Sequence, residues 1–178
     1  MPWTFSPQLN TIIGQLWTDV QSVMGTYRVN SGSRDDIRDD AGWRAAHWDS
    51  SLHGGQIRGA DVEMVSSDED WAGPVTDFRL CWHTCEITIW RQVYDKQTGG
   101  IPGSNGCLSH GEFISEVEAV RQALRIDPQL AGLAQQCECP NAVYSRETKI
   151  KVRCHKAVIR FKFLERVIQT WVAPPPPP

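Results

Sequence analysis

TDFRLCWHTCEITIWRQVY, residues 76–94, and SHGEFISEVEAVRQALR, residues 109–125, together decide the fold. In the first stretch apolar side chains recur at every second position, the period of a strand with one buried face. Phe78, Leu80 and Trp82 hold one parity and Cys85, Ile87 and Ile89 the other, which predicts a bulge or turn near His83. In the second stretch the period lengthens. Phe113, Val117, Val120 and Leu124 fall three and four apart, a stripe that lets a helix lie across a sheet. Ser109 and Glu112, three apart, form a capping box for its first turn. Between the two stretches Gly99, Gly100, Pro102, Gly103 and Gly106 make a loop.

The same two periods continue on either side. From Ser6, Leu9, Ile12, Ile13, Leu16, Val20 and Val23 trace a second amphipathic helix, which Gly25 is placed to stop. Residues 26–75 are rich in Gly, Ser and Asp, with weak strand signals only at Gln56–Ile57 and Val62–Val65, and read as a long loop or arm. Trp43, Trp48 and Trp71 are the points at which such an arm would dock. After the central helix, Asp127 as cap and Pro128 at the first helical position predict a short helix that buries Leu130 and Leu133.

Ile150, Val152 and Cys154 alternate with Lys149, Lys151 and Arg153; past a shift near His155, Ile159, Phe161 and Phe163 alternate with Arg160 and Lys162. These are antiparallel strands with a cationic outer face. Pro174–Pro178 form a polyproline tail. The expected architecture is α+β: one domain over residues 1–173, a mostly antiparallel sheet with two amphipathic helices on one face, and a long irregular arm.

With 178 residues the chain has room for one core. Its 40% hydrophobic and 22% charged residues are ordinary for a globular protein and exclude wholesale disorder. No run approaches the ~20 apolar residues of a membrane span, and MPWTFSPQLN lacks the basic-then-apolar pattern of a secretory signal. A cytoplasmic setting follows as the expectation, with the six cysteines reduced rather than joined in a disulfide scaffold. Eight tryptophans favour protein contacts beyond a minimal core.

A net charge of −3 argues against binding nucleic acid by bulk electrostatics, but the charge is sorted along the chain. Acidic residues outnumber basic ones eleven to three between Asp35 and Asp77, and basic residues lead eight to two between Tyr144 and Arg166. Patches of this kind suit head-to-tail contact between copies of one subunit. The candidates are Lys149, Lys151, Arg153, Arg160 and Lys162 on the basic side, and Asp35, Asp36, Asp39 and Asp40 with Trp43 and Trp48 on the other. An unevenly charged, merely solvated surface is the alternative.

Catalytic signals are sparse. Cys81, His83, Cys85, Cys107, His110, Cys137, Cys139, Cys154 and His155 raise the question of zinc. In a regular strand, however, Cys81 and Cys85 stand ~13 Å apart, too far for one tetrahedral ion. Cys107 near His110 is the one candidate thiol nucleophile, and it sits in no recognisable nucleophile motif. Asp35 with Asp36, and Asp68 through Asp70, lie in polar sequence that favours solvation over acid–base work. The glycines from Gly99 to Gly106 lack the Lys-Ser/Thr ending of a phosphate loop.

The order of elements, the stretch Asp127-Pro128-Gln129-Leu130-Ala131-Gly132-Leu133, and the pairing of CEITIWRQVYD with AVIRFKFLER resemble the tail terminator (tail-completion) proteins of long-tailed bacteriophages. The resemblance covers about Thr76–Val167 and the first helix. It implies a virion structural subunit, assembled in the host cytoplasm, that forms a homo-oligomeric ring, usually a hexamer, on the head-proximal end of the tail tube. Such a ring stops tube growth and joins the tail to the head. Its partners would be the tail tube protein and a head or neck connector protein, with DNA only as passing cargo and no membrane. The family carries no catalytic residues and no cofactor. The acidic segment, the cysteines and the proline tail depart from its pattern. Another neck or tail component, such as a head-closure, adaptor or tube protein, would show a β-barrel or a largely helical pattern. A zinc-binding or thiol enzyme is the alternative from a different class.

Overall fold

The computed structural model describes residues 8–24, 28–31, 43, 47–49, 56–70, 78–93, 109–126, 129–134, 136–138, 142–149 and 151–168. In chain order the elements are α1 (Gln8–Met24), β1 (Arg28–Ser31), β2 (Trp48–Asp49), β3 (Gln56–Asp70), β4 (Phe78–Gln92), α2 (His110–Ile126), β5 (Gln136–Glu138), β6 (Ala142–Lys149) and β7 (Val152–Ile168). The strands form one sheet in the order β1-β3-β4-β7-β5, with β2 beside β3 and β6 beside β7. Every pairing is antiparallel except β1 with β3. β4 is the spine: β3 flanks it from Leu80 to Arg91, and β7 along its whole length.

Both helices lie on one face of the sheet, and their stripes account for it. Ile12, Leu16, Val20 and Met24 of α1 and Phe113, Val117, Val120 and Leu124 of α2 are buried. They share a core with Ala60 and Val62 of β3, Cys85, Ile87 and Ile89 of β4, and Ala157, Ile159, Phe161 and Phe163 of β7. Fully burying each Leu, Ile, Val or Phe side chain contributes roughly 1.5–3 kcal/mol, so this layer dominates the stability. Helix α2 starts where the capping box places it: Ser109 N donates to Glu112 Oε2 at 2.8 Å, and Glu112 N to Ser109 Oγ at 3.3 Å. Its seat on the sheet is fixed by Arg91, which donates from Nε and Nη2 to the two carboxylate oxygens of Glu116 at 2.7 and 2.5 Å. A buried pair of this fork geometry fixes orientation more than it adds net stability.

The structure departs from several local expectations. First, β4 has no bulge near His83; its register with β7 is unbroken from Phe78 to Gln92. The irregularity sits on β3 instead, between Met64 and Ser66. Second, Lys149, Lys151 and Arg153 are not one alternating strand. Lys149 pairs with Val152 across a hairpin turn, in which Lys151 adopts a left-handed φ of 61°. No shift occurs at His155, since β6 pairs with β7 continuously from Val152 to Ile159.

Third, within the segment 26–75 the weak strand signals at Gln56–Ile57 and Val62–Val65 fall in one fifteen-residue strand, β3, and the shorter β1 and β2 precede it. Much of β3 is polar, and pairing with β4 holds it straight where its own apolar pattern is weak. Fourth, the predicted helix after Pro128 is a tight turn over the described residues. Leu130, Ala131 and Gly132 have φ of 47°, 56° and 84°, and Gly132 N and Ala134 N both donate to Gln129 O. Leu130 is nevertheless fully buried, as its sequence position indicated.

Candidate functional site

The face of the sheet opposite the helices sorts its side chains by strand. The register places Asp61, Glu63 and Asp68 of β3 beside Thr88, Glu86 and Trp82 of β4, and these beside Val158, Arg160 and Leu164 of β7. Lys156 and Lys162 complete the β7 column opposite Trp90 and Thr84. An acidic column on β3 therefore runs alongside a basic column on β7, about 10 Å away with β4 between. Arg160 Nε reaches Glu86 Oε1 at 2.8 Å, yet the arginine side chain is 67% exposed and remains open to a second partner. Lys162 is exposed as well.

The predicted interface residues divide. Arg160 and Lys162 stand together on this outer face, and Lys149 joins them from β6 at the hairpin end. Lys151 lies in the turn, and Arg153, though exposed, shares the parity of His155 and Ala157 and so faces the helix side. The basic surface is thus built by Lys149, Lys156, Arg160 and Lys162 rather than by all five candidates. Asp35, Asp36, Asp39 and Asp40 lie outside the described residues, as do Trp71, Cys107, Cys139 and the proline tail. Trp48 opens β2 and pairs with Ile57.

Trp43 docks where the outer face needs cover. Its ring stacks on His47 at 4.5 Å and meets the edge of Trp90 at 5.3 Å. A small second core of Ile57, Trp90 and Cys154 forms beneath, with Trp43 and Val152 at its margin. Lys149 and Lys156 bring their ammonium groups to 5.5 and 5.0 Å from the Trp90 ring centroid, a cation–π arrangement. His47 is fully buried; its Nδ1 lies 2.9 Å from Trp43 O and its Nε2 2.9 Å from both oxygens of Asp61, which also accepts Trp90 Nε1 at 3.2 Å. Burial pushes the Cys154 thiol up to about 11, and that of Cys85 under the helices up to about 12.

On the helix side a second histidine meets a carboxylate. His83 Nε2 lies 2.9 Å from Glu165 Oε2, and His83 Nδ1 lies 2.7 Å from Ser67 Oγ. Both ionisable side chains are buried, at 6% and 2% exposure, whereas Ser67 is exposed. Phe163 packs against the His83 ring at 5.0 Å, and Cys81 Sγ is 4.0 Å from Nδ1. Sequence reasoning weighed His83 only as a metal ligand. Its carboxylate partner is 82 positions away in the chain, and only the β4–β7 register brings it near. Among the described residues no three metal-ligating side chains converge, and no helix is long and apolar enough to cross a membrane. No protein-family model matches the chain, and no match was found among curated proteins.

Proposed function

We propose that the chain is a structural subunit of a phage virion, a tail terminator that assembles as a ring on the head-proximal end of the tail tube. The supporting observation is the outer face of the sheet, which the helices leave uncovered and on which acidic β3 and basic β7 columns run side by side. Opposite columns let the basic stripe of one copy meet the acidic stripe of another, which sets register and orientation more than raw affinity. In this reading Arg160, Lys162 and Lys149 recognise a sibling chain. The ring, a hexamer by resemblance, abuts the tail tube protein below and a head or neck connector above, with DNA passing through. Ring formation and joining of this kind require no catalytic residue and no cofactor.

Native mass spectrometry and negative-stain imaging, alone and with tail tubes, test this. A closed ring is the expected species, and Arg160→Glu with Lys162→Glu should shift it toward single copies. Mixing that variant with Glu63→Lys/Asp68→Lys should restore assembly. A chain that stays a single copy with and without tubes overturns the proposal.

A further inference from the structure

Ser67, His83 and Glu165 come from three neighbouring strands, β3, β4 and β7; Ser67 stands directly opposite His83, and Glu165, opposite Cys81, reaches the ring diagonally. Exposed hydroxyl, buried imidazole and more deeply buried carboxylate follow in that order, at 2.7 and 2.9 Å. Hydrogen-bond inventory fixes what this trio can do. Glu165 as carboxylate only accepts, so Nε2 donates to it; in that tautomer Nδ1, at 2.7 Å, can accept from the Ser67 hydroxyl, for which Met64 Sδ at 3.3 Å is a second and weaker acceptor. That is the tautomer a general base needs next to a nucleophile. His47 supplies the internal contrast. Its two nitrogens face a carbonyl oxygen and a carboxylate, both acceptors, and neither touches a hydroxyl.

We propose that Ser67 is an activated nucleophile that takes up acyl or phosphonyl groups from activated esters, with His83 as its base and Glu165 holding the imidazole in place. The Ser67 Oγ attacks the carbonyl carbon or phosphorus while its proton passes to His83 Nδ1. The new Oγ–C or Oγ–P bond forms, the bond to the leaving group breaks, and the leaving group departs with the electron pair and receives the proton from His83. Access is open, because Ser67 is exposed and follows the β3 bulge. The extra residue of that bulge, Val65, has no partner on β4, and bulges of this kind re-aim neighbouring side chains. Cys81, 4.0 Å from the same nitrogen, is buried and does not compete for reagent.

The full chain incubated with a fluorophosphonate probe, followed by intact mass and peptide mapping, gives the test. The expected result is one adduct, on Ser67, lost in Ser67→Ala and retained in the neighbouring Ser66→Ala. His83→Gln should slow labelling roughly a hundredfold, the usual share of a positioned base. No adduct on Ser67, or an undiminished adduct in a folded His83→Gln protein, overturns the proposal. Should that variant fail to fold by circular dichroism, Glu165→Gln decides: a folded Glu165→Gln protein that labels at the unmodified rate overturns it equally.

Discussion

His47 and His83 each meet a carboxylate at 2.9 Å, one on each face of the same sheet, and the two pairs do different work. On the outer face, Asp61 keeps 26% of its side chain exposed, and His47 spends its other nitrogen on a backbone oxygen. The pair is a clasp that holds Trp43 over Trp90. On the helix side, Glu165 is almost sealed, and His83 turns its other nitrogen to an exposed hydroxyl. The same two groups are thus a fastener where the third partner is a carbonyl, and a proton path where it is a serine. Burial sets the energetic stakes, and the third partner sets the chemistry.

The sharpest way to separate the two faces is to remove a large side chain from the one that carries the core. Phe161→Ala should lower the unfolding free energy by about 3–5 kcal/mol in urea titrations, since this ring is fully buried between sheet and helices. Next, His83→Leu should cost about 3 kcal/mol by removing the imidazole that faces the buried Glu165 carboxylate. His47→Leu should cost about 1 kcal/mol, because water can reach Asp61. Equal losses would break the contrast drawn between the pairs.

Trp43→Ala removes the outer lid and should cost about 2 kcal/mol, less than a full core truncation because this ring is only half-buried. It should also speed alkylation of Cys154, as relief from burial lets its raised thiol pKa fall, while Cys85 stays protected under the helices until global unfolding. Labelling of both at one rate would mean that the faces are not independent. Gly132→Ala should cost about 1 kcal/mol in thermal unfolding. A Cβ there meets no atom within 4 Å, so the cost lies wholly in the φ of 84°.

The smallest effect is at the α2 cap. Glu112 is held below the ordinary carboxylate range, first by the Ser109 N–H and then by the Ser109 hydroxyl. A depressed folded pKa stabilises fully above the unfolded value and is lost as pH falls through the lowered one. The melting-temperature gap between the natural chain and Glu112→Gln should therefore be present at neutral pH and close on acidification. A gap that persists in acid would show that the cap does not depend on charge.

Both helices were legible because each stripe has one meaning: Ile12, Leu16 and Val20, and likewise Phe113 through Leu124, face the same layer. The strands were harder for a physical reason. Alternation reports which face is buried, and on β4 and β7 that changes along the strand. Ile87, Ile89, Ile159 and Phe161 lie under the helices, while Leu80 and Trp82 of β4 and Val152 and Cys154 of β7 hold the opposite parity, so two unbroken strands read as shifted ones. The outer cluster itself hides in sequence because Trp43 and His47 come from a polar segment far from Trp90. Arg160 and Lys162 were visible as a cationic parity, whereas alternation could not place Lys151 and Arg153, because the turn between Lys149 and Val152 resets the faces. Ser67, His83 and Glu165 carry no local motif at all.

The closing strand also sets when this molecule can become whole. Phe78 at one end of the spine pairs with Ile168, so the second edge of β4 stays unpaired until β7 has been synthesised. Until then a β3–β4 ribbon waits with a bare flank and an apolar helix stripe beside it. Contacts this distant in sequence form slowly, which makes the nascent ribbon the stage at which a chaperone would matter most.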